Sequence, residues 1–193
     1  MATVATRPIT AEEFSAFVAR PENADRFFEL ERGEIIELPP PKKPHGVVCM
    51  NVGVLLHAYA TRVTRGYVTG NDSGYITERD PNSVRGPDVA YWDDTELAST
   101  ADPEYTETPP LVAVEVLSPD DRINRVLQKV AEYLASGARE VWVVDPVAQD
   151  VAVHRADHVT QFLSANDELD GGTVLSGFHC RVADFFHGLP SSR

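Results

Sequence analysis

The segment LVAVEVLSPDD, residues 111–121, decides how the chain is interpreted, because it places a glutamate inside an apolar run. Such runs are typical of strands that are buried on both faces of a sheet. A lone buried carboxylate costs several kcal/mol unless it is paired, protonated or bound to a metal. Glu115 therefore indicates either a buried salt bridge or a metal site.

The bulk composition predicts one folded domain over residues 1–193. Hydrophobic residues make up 42% of the chain, which is typical of a globular protein and not of a disordered one. The net charge of −13 argues against charge-driven binding to nucleic acid, although it leaves room for a local basic groove or for a site that recruits cations. The acidic segment 93–107 is expected to be a solvated surface loop.

The sequence shows no feature that predicts export or membrane insertion. No apolar stretch approaches the ~18 residues of a membrane span, and the first residues lack the apolar region of a signal peptide. Cys49 and Cys180 fit no metal or disulfide pattern. We expect both thiols to be buried small hydrophobes in a reducing cytoplasm.

Hydrophobic periodicity and turn signals predict a mixed α/β domain with a central sheet. Three helices are predicted. The first begins near residue 11 after a Thr10–Glu13 capping box, the second spans about residues 46–64, and the third follows Pro119 and ends at Gly137. The predicted strands comprise a hairpin over 27–38 with its turn at Arg32-Gly33, three strands within 67–92, the strand of Glu115, strands at 140–145 and 150–155, and two or three short strands within 158–186.

A second acidic residue is expected beside Glu115. Side chains alternate along a strand, so Asp88 shares a face with Ala90 and Trp92, and Glu115 shares one with Ala113. If the two strands pair as antiparallel neighbours, both carboxylates converge on one face. An all-oxygen pair that leaves room for water suits Mg²⁺ or Mn²⁺.

The helix after Glu115 offers a cation to this pair. Lys129 and Tyr133 lie four residues apart, on one flank of an apolar stripe formed by Ile123, Val126, Leu127, Val130 and Leu134. A metal ion, a lysine and an anionic substrate together suggest hydrolysis of a phosphodiester. The simpler alternatives are a structural salt bridge between Glu115 and Lys129, a capping role for Asp88, and a solvated Lys129.

The order of these segments resembles the PD-(D/E)XK nuclease superfamily, and in detail its Uma-type branch of restriction-endonuclease-like proteins. The resemblance extends over about residues 10–187. It rests on FELERGEIIEL, on His45 soon after a Pro-rich loop, and on RGPDVAYW, LVAVEVLSPDD, KVAEYL, GAREVWVVDP and SGFHCRVADFF.

The resemblance implies a mixed central sheet flanked by helices, with Asp88 and Glu115 as metal ligands. The superfamily pattern has a lysine two residues after the second acid, where this chain has Leu117, so the resemblance assigns that role to Lys129 from the helix. Glu29 resembles an additional upstream acid at the metal, and Glu34 competes with it. His45 matches a recurrent position and would contact phosphate or water, unless it is a helix-capping or loop residue. Tyr133 also matches, with core packing as its alternative.

The leading hypothesis is a metal-dependent DNA endonuclease that uses Mg²⁺ or Mn²⁺ and cuts both strands as a cytoplasmic homodimer. The alternative is a non-catalytic binding or regulatory module that keeps the nuclease fold. The net charge and the missing strand lysine favour this alternative. RNA or single-stranded DNA is a further possible substrate, and nothing in the sequence separates it from duplex DNA.

Overall fold

The computed structural model describes residues 7–70, 73–93, 105–119 and 121–190. Most of the predicted acidic loop, residues 94–104, lies outside the described residues. The helices are α1 (Ala11–Val18), α2 (Lys43–Val63) and α3 (Ile123–Ser136). The strands are β1 (Phe27–Glu31), β2 (Glu34–Leu38), β3 (Tyr67–Gly70), β4 (Tyr75–Glu78), β5 (Ser83–Arg85), β6 (Val89–Trp92), β7 (Val112–Val116), β8 (Glu140–Asp145), β9 (Asp150–Arg155), β10 (Thr160–Ser164), β11 (Glu168–Asp170) and β12 (His179–Arg181).

A six-stranded mixed sheet with the order β10-β9-β8-β7-β6-β3 forms the centre of the fold. Among the described strands of this sheet, β7 and β8 are the one parallel pair, and α3 supplies the crossover between them. The predicted antiparallel pairing of β6 with β7 is confirmed. All five residues of β7 are buried, as expected for a strand covered on both faces.

Two helices cover opposite faces of this sheet. Val48, Val52 and Leu56 of α2 pack with Val112 and Val114 on one face. On the other face, Val126, Val130 and Tyr133 of α3 pack with Ala90 and Ala113. This is the mixed α+β architecture that the sequence predicts, with a central sheet flanked by helices.

A second sheet, with the order β2-β1-β5-β4, carries the predicted hairpin along one edge. Arg32 and Gly33 both have positive φ, which the tight turn of a two-residue hairpin requires. The strand β5 was not predicted, because three residues are too few to show alternation. Its central residue, Val84, pairs with Leu30 of β1 and with Ile76 of β4, so β5 joins the hairpin to β4.

Two predicted details of the helices are wrong. Helix α2 begins at Lys43 and not near Gly46, so His45 lies in its first turn. The predicted apolar stripe of α3 is rotated, because Ile123 and Leu127 are exposed whereas Tyr133 is fully buried.

Among the described residues, α2 alone is long and apolar enough to cross a membrane by length and composition, a test that core helices of soluble proteins also pass. Its buried face contacts the central sheet.

Candidate active site

Asp88 and Glu115 meet at one end of the β6–β7 pair. The register aligns Val89 with Val114, so one further step places Asp88 opposite Glu115. The backbone N–H of Val116 donates a hydrogen bond to Oδ2 of Asp88 over 2.6 Å. This bond fixes the orientation of the Asp88 carboxylate at the point where the strands begin to separate.

Glu115 is held by two side chains from one flank of α3. The hydroxyl of Tyr133 donates to Oε1 over 2.6 Å, and Nζ of Lys129 lies 3.1 Å from Oε2. Lys129 and Tyr133 are four residues apart, so a single helical face delivers both. Only 8% of Glu115 is exposed.

The pKa of Glu115 is raised to about 7. Burial is the main cause, the negative charges of Asp88 and Glu29 add to it, and Lys129 opposes it. The same carboxylates raise the pKa of Lys129, even though burial acts to lower it. The lysine is therefore an ammonium ion surrounded by more negative charge than it can neutralise.

Glu29 is the second carboxylate that pairs with this lysine. Its Oε1 lies 2.8 Å from Nζ of Lys129, and its side chain is 4% exposed. Glu34 lies at the start of the edge strand β2 and is exposed. The structure thus brings Glu29, and not Glu34, next to Lys129. Glu29, Asp88, Glu115 and Lys129 are called the carboxylate cluster below.

Arg85 supports the carboxylate cluster from behind and was missed by the sequence interpretation. It is nearly fully buried, and its guanidinium lies 3.0 Å from Oε2 of Glu29 and 2.6 Å from Oε2 of Glu132. A third carboxylate, that of Glu31, lies at 3.4 Å. The only signal in the sequence was the position of Arg85, two residues before the Pro87-Asp88 motif. This position does not indicate a buried ion pair unless the strand β5 is known, and β5 was not predicted.

His45 reaches Asp88 from α2, on the side opposite Glu115. Its Nε2 lies 3.1 Å from Oδ1 of Asp88, and its Nδ1 lies 3.4 Å from Sγ of Cys49. Although burial acts to lower it, hydrogen bonds to Asp88 and Cys49 raise the pKa of His45 to about 10. The ring is therefore an imidazolium at neutral pH and pairs with the Asp88 carboxylate.

Cys49 corrects one prediction. Cys180 is buried, as expected, but Cys49 is only partly buried and contacts His45. Burial raises the pKa of the Cys49 thiol, so it is protonated in the metal-free protein. The available signal was the four-residue spacing of His45 and Cys49, which places both on one face once the helix is known to include His45.

A cavity of about 290 Å³ opens beside His45. Apolar side chains dominate its walls, and Lys42 contributes a cation. The lining residues are Lys42, Pro44, His45, Leu117, Ser118, Pro119, Pro146, Val147, Gln149, Leu189 and Pro190. The cavity thus gives a molecule of modest size access to the side of the site that His45 occupies.

The donor set of the carboxylate cluster fits a hard divalent cation. Its three carboxylates offer oxygen atoms only, which Mg²⁺ and Mn²⁺ prefer. Glu29 and Glu115 share Lys129, and the negative charges of Asp88 and Glu29 add to the effect of burial in raising the pKa of Glu115. A divalent cation between Asp88 and Glu115 would relieve this repulsion.

The sequence as a whole matches one family model. Residues 11–183 match the model of Uma2, described as "Putative restriction endonuclease". The chain belongs to the Uma2 family. No curated protein matches the chain in sequence.

A solved structure has the same fold. It is a crystal structure from Anabaena variabilis, described as "a putative nuclease belonging to DUF820". The two superpose with a TM-score of 0.77 at 20% sequence identity, over 93% of this chain and 98% of the other. At this identity the likeness establishes the fold, which confirms the predicted architecture of this Uma2 member.

Proposed function

We propose that this Uma2 member is a metal-dependent endonuclease that hydrolyses phosphodiester bonds in DNA. The observation that carries the proposal is the carboxylate cluster, in which the buried Glu29 and Glu115 pair with Lys129 and the charge of Asp88 lies close to Glu115. A purely structural role poorly explains two buried carboxylates that share one lysine next to a third, partly buried carboxylate in a member of a nuclease family.

Asp88 and Glu115 would hold Mg²⁺ or Mn²⁺, with Glu29 as an additional acid. When bound, the ion would supply charge neutralisation at the phosphate and lower the pKa of the attacking water. The chain's own residues supply the rest. Lys129 remains charged, because its pKa is raised, and stabilises the negative charge that develops on the scissile phosphate.

Tyr133 and Arg85 position the reacting groups. The hydroxyl of Tyr133 donates a hydrogen bond to one oxygen of Glu115 and so fixes its position. The second oxygen is then left for Lys129 and the cation. Arg85 restrains Glu29 on the side away from the lysine. His45 adds a positive charge next to the proposed phosphate site, beside the cavity.

The direct test is nicking of supercoiled plasmid by the wild type, by Asp88→Asn and by Glu34→Gln as a matched control. We expect nicking that needs Mg²⁺ or Mn²⁺ and stops with EDTA. Asp88→Asn should abolish it, whereas the exposed Glu34→Gln should retain it. Equal nicking by Asp88→Asn and wild type would refute the assignment, and parallel assays with single-stranded DNA and RNA identify the substrate.

A non-catalytic binding module is the second candidate. The net charge of −13 and the leucine at position 117 favour it, since a typical site of this class carries a lysine there. This function predicts metal binding that depends on Asp88, together with no cleavage of any nucleic acid by the wild type.

We further propose that the core, about residues 10–187, is one nuclease domain that acts in the cytoplasm as a homodimer. Two sites related by a twofold axis would suit the two strands of a duplex. Sedimentation at micromolar concentration, with and without a duplex, tests the dimer: a monomer in both would contradict it.

A further inference from the structure

A second group of metal-binding side chains shares Asp88 with the carboxylate cluster. One nitrogen of His45, Sγ of Cys49 and a carboxylate oxygen of Asp88 all lie within 4.8 Å of one another. None of the three is fully buried, so solvent ions can reach them. These residues are called the thiol–imidazole cluster, and Cys49 has no part in the proposed hydrolysis.

The chemistry of the three donors differs from that of the carboxylate cluster. Sulfur and imidazole nitrogen select Zn²⁺ and related ions, whereas Mg²⁺ requires oxygen ligands. Ligand atoms around tetrahedral Zn²⁺ are roughly 3.5 Å apart, given bonds of about 2.0–2.3 Å. The two short contacts use different nitrogens of His45, since Nε2 lies 3.1 Å from Oδ1 of Asp88 and Nδ1 lies 3.4 Å from Sγ of Cys49. One ring nitrogen, the sulfur and one carboxylate oxygen nevertheless lie within 4.8 Å of one another. An ion bound by that nitrogen therefore requires side-chain shifts that shorten separations of up to 4.8 Å to roughly 3.5 Å.

The surrounding structure holds these donors in place. His45 and Cys49 project from successive turns of α2, whose buried face is packed on the central sheet. The backbone N–H of Val116 binds Oδ2 of Asp88, which leaves Oδ1 directed at His45. Such outer hydrogen bonds orient metal ligands and strengthen metal binding. With three protein ligands, the fourth position of a tetrahedral ion stays open to water.

We propose that His45, Cys49 and Asp88 form a binding site for Zn²⁺, and that Zn²⁺ bound there withdraws Asp88 from the hydrolytic centre and inhibits cleavage. The first half depends only on the thiol–imidazole cluster. The second half rests on the proposed nuclease function, because it requires that Asp88 also hold the hydrolytic metal. Zinc at this site and magnesium at the carboxylate cluster would therefore compete for one carboxylate.

The binding half is tested with Co²⁺ as a spectroscopic substitute for Zn²⁺. Wild type should give a thiolate-to-cobalt charge-transfer band that saturates at one ion per chain and disappears when Zn²⁺ is added. Cys49→Ser should lose the band, and its Zn²⁺ affinity should fall by more than the roughly 10–100-fold that loss of an outer hydrogen-bond partner costs. Cys180→Ala is the matched control, because it removes the other cysteine and should keep the band.

The inhibitory half is tested by measuring the Zn²⁺ concentration that halves Mg²⁺-dependent nicking, for each variant against its own zinc-free rate. We expect this concentration to rise at least tenfold in Cys49→Ser and to stay unchanged in Cys180→Ala. An unchanged value in Cys49→Ser would overturn the competition, since zinc would then act elsewhere.

The outcomes separate the two proposals. A wild-type protein without a thiolate band overturns the zinc site, whether or not it nicks DNA. A protein that shows the band but never nicks DNA keeps the zinc site and overturns the nuclease.

Discussion

Glu115 and Glu140 are two buried glutamates on adjacent parallel strands, yet their surroundings differ in kind. Only 1% of Glu140 is exposed, and each of its oxygens has one donor at 2.9 Å, from the indole of Trp142 and from Arg155. Glu115 is 8% exposed and shares a single lysine with Glu29, close to the charge of Asp88.

The comparison shows what separates a structural buried acid from a candidate ligand. The Glu140 pair is complete, because one cation and one neutral donor satisfy one carboxylate. The carboxylate cluster is not complete, since Glu115 and Glu29 share Lys129, and burial together with the charges of Asp88 and Glu29 raises the pKa of Glu115 to about 7. An incomplete balance of this sign is what a divalent cation would correct.

The largest expected effect comes from removing the lysine. Lys129→Met should lower the rate of plasmid nicking at saturating Mg²⁺ by roughly 10²–10³-fold, because it removes the charge that we propose stabilises the scissile phosphate. Arg155→Met is the matched control, because it removes the cation that pairs with Glu140. The folded Arg155→Met protein should nick plasmid at the wild-type rate. Equal losses in both variants would mean that the effect is one of stability.

Substitution of the two glutamates should change the free energy of unfolding by different amounts. Glu140→Ala leaves the Trp142 indole and Arg155 without their partner and should lower the free energy of unfolding by about 2–4 kcal/mol. Glu115→Gln removes excess negative charge and should stay within about 1 kcal/mol of wild type in EDTA. Urea titration checks both, and a large loss in Glu115→Gln would assign Glu115 to the structural class.

Metal affinity should depend on pH through Glu115. Its pKa of about 7 in the metal-free protein means that metal binding displaces a proton at lower pH. The apparent dissociation constant should therefore increase about tenfold for each pH unit below 7 and should be constant above pH 7. Calorimetry across this range tests the slope, and a flat profile would show that Glu115 is not a ligand.

The smallest expected effect concerns Tyr133. Its hydrogen bond lowers the pKa of Glu115, so Tyr133→Phe should move the midpoint of the pH profile upward, at a cost of about 1 kcal/mol in stability. A midpoint that moves downward would show that the hydroxyl does not favour the ionised carboxylate.

Much of the candidate site could be predicted from the sequence, because strand alternation and helical spacing are local. They gave the β6–β7 pairing, the shared face of Asp88 and Glu115, and the common flank of Lys129 and Tyr133. The catalytic and metal-binding roles of these residues stay predictions until they are tested.

The parts that were missed depend on long-range contacts. Arg85 meets Glu29 across 56 positions, and nothing local marks such a pair. The stripe of α3 was misplaced for a related reason. This helix covers charged groups as well as the core, so Gln128, Lys129 and Glu132 face inward while Leu127 remains exposed.

The most direct test of the account is calorimetric titration of Mg²⁺ and Mn²⁺ into wild type, Glu115→Gln and Glu140→Gln at about pH 8, where Glu115 is ionised. We predict one site per chain in wild type and in Glu140→Gln, and no binding in a folded Glu115→Gln. Metal affinity that survives Glu115→Gln would contradict the account, because the buried glutamate of β7 would then be structural.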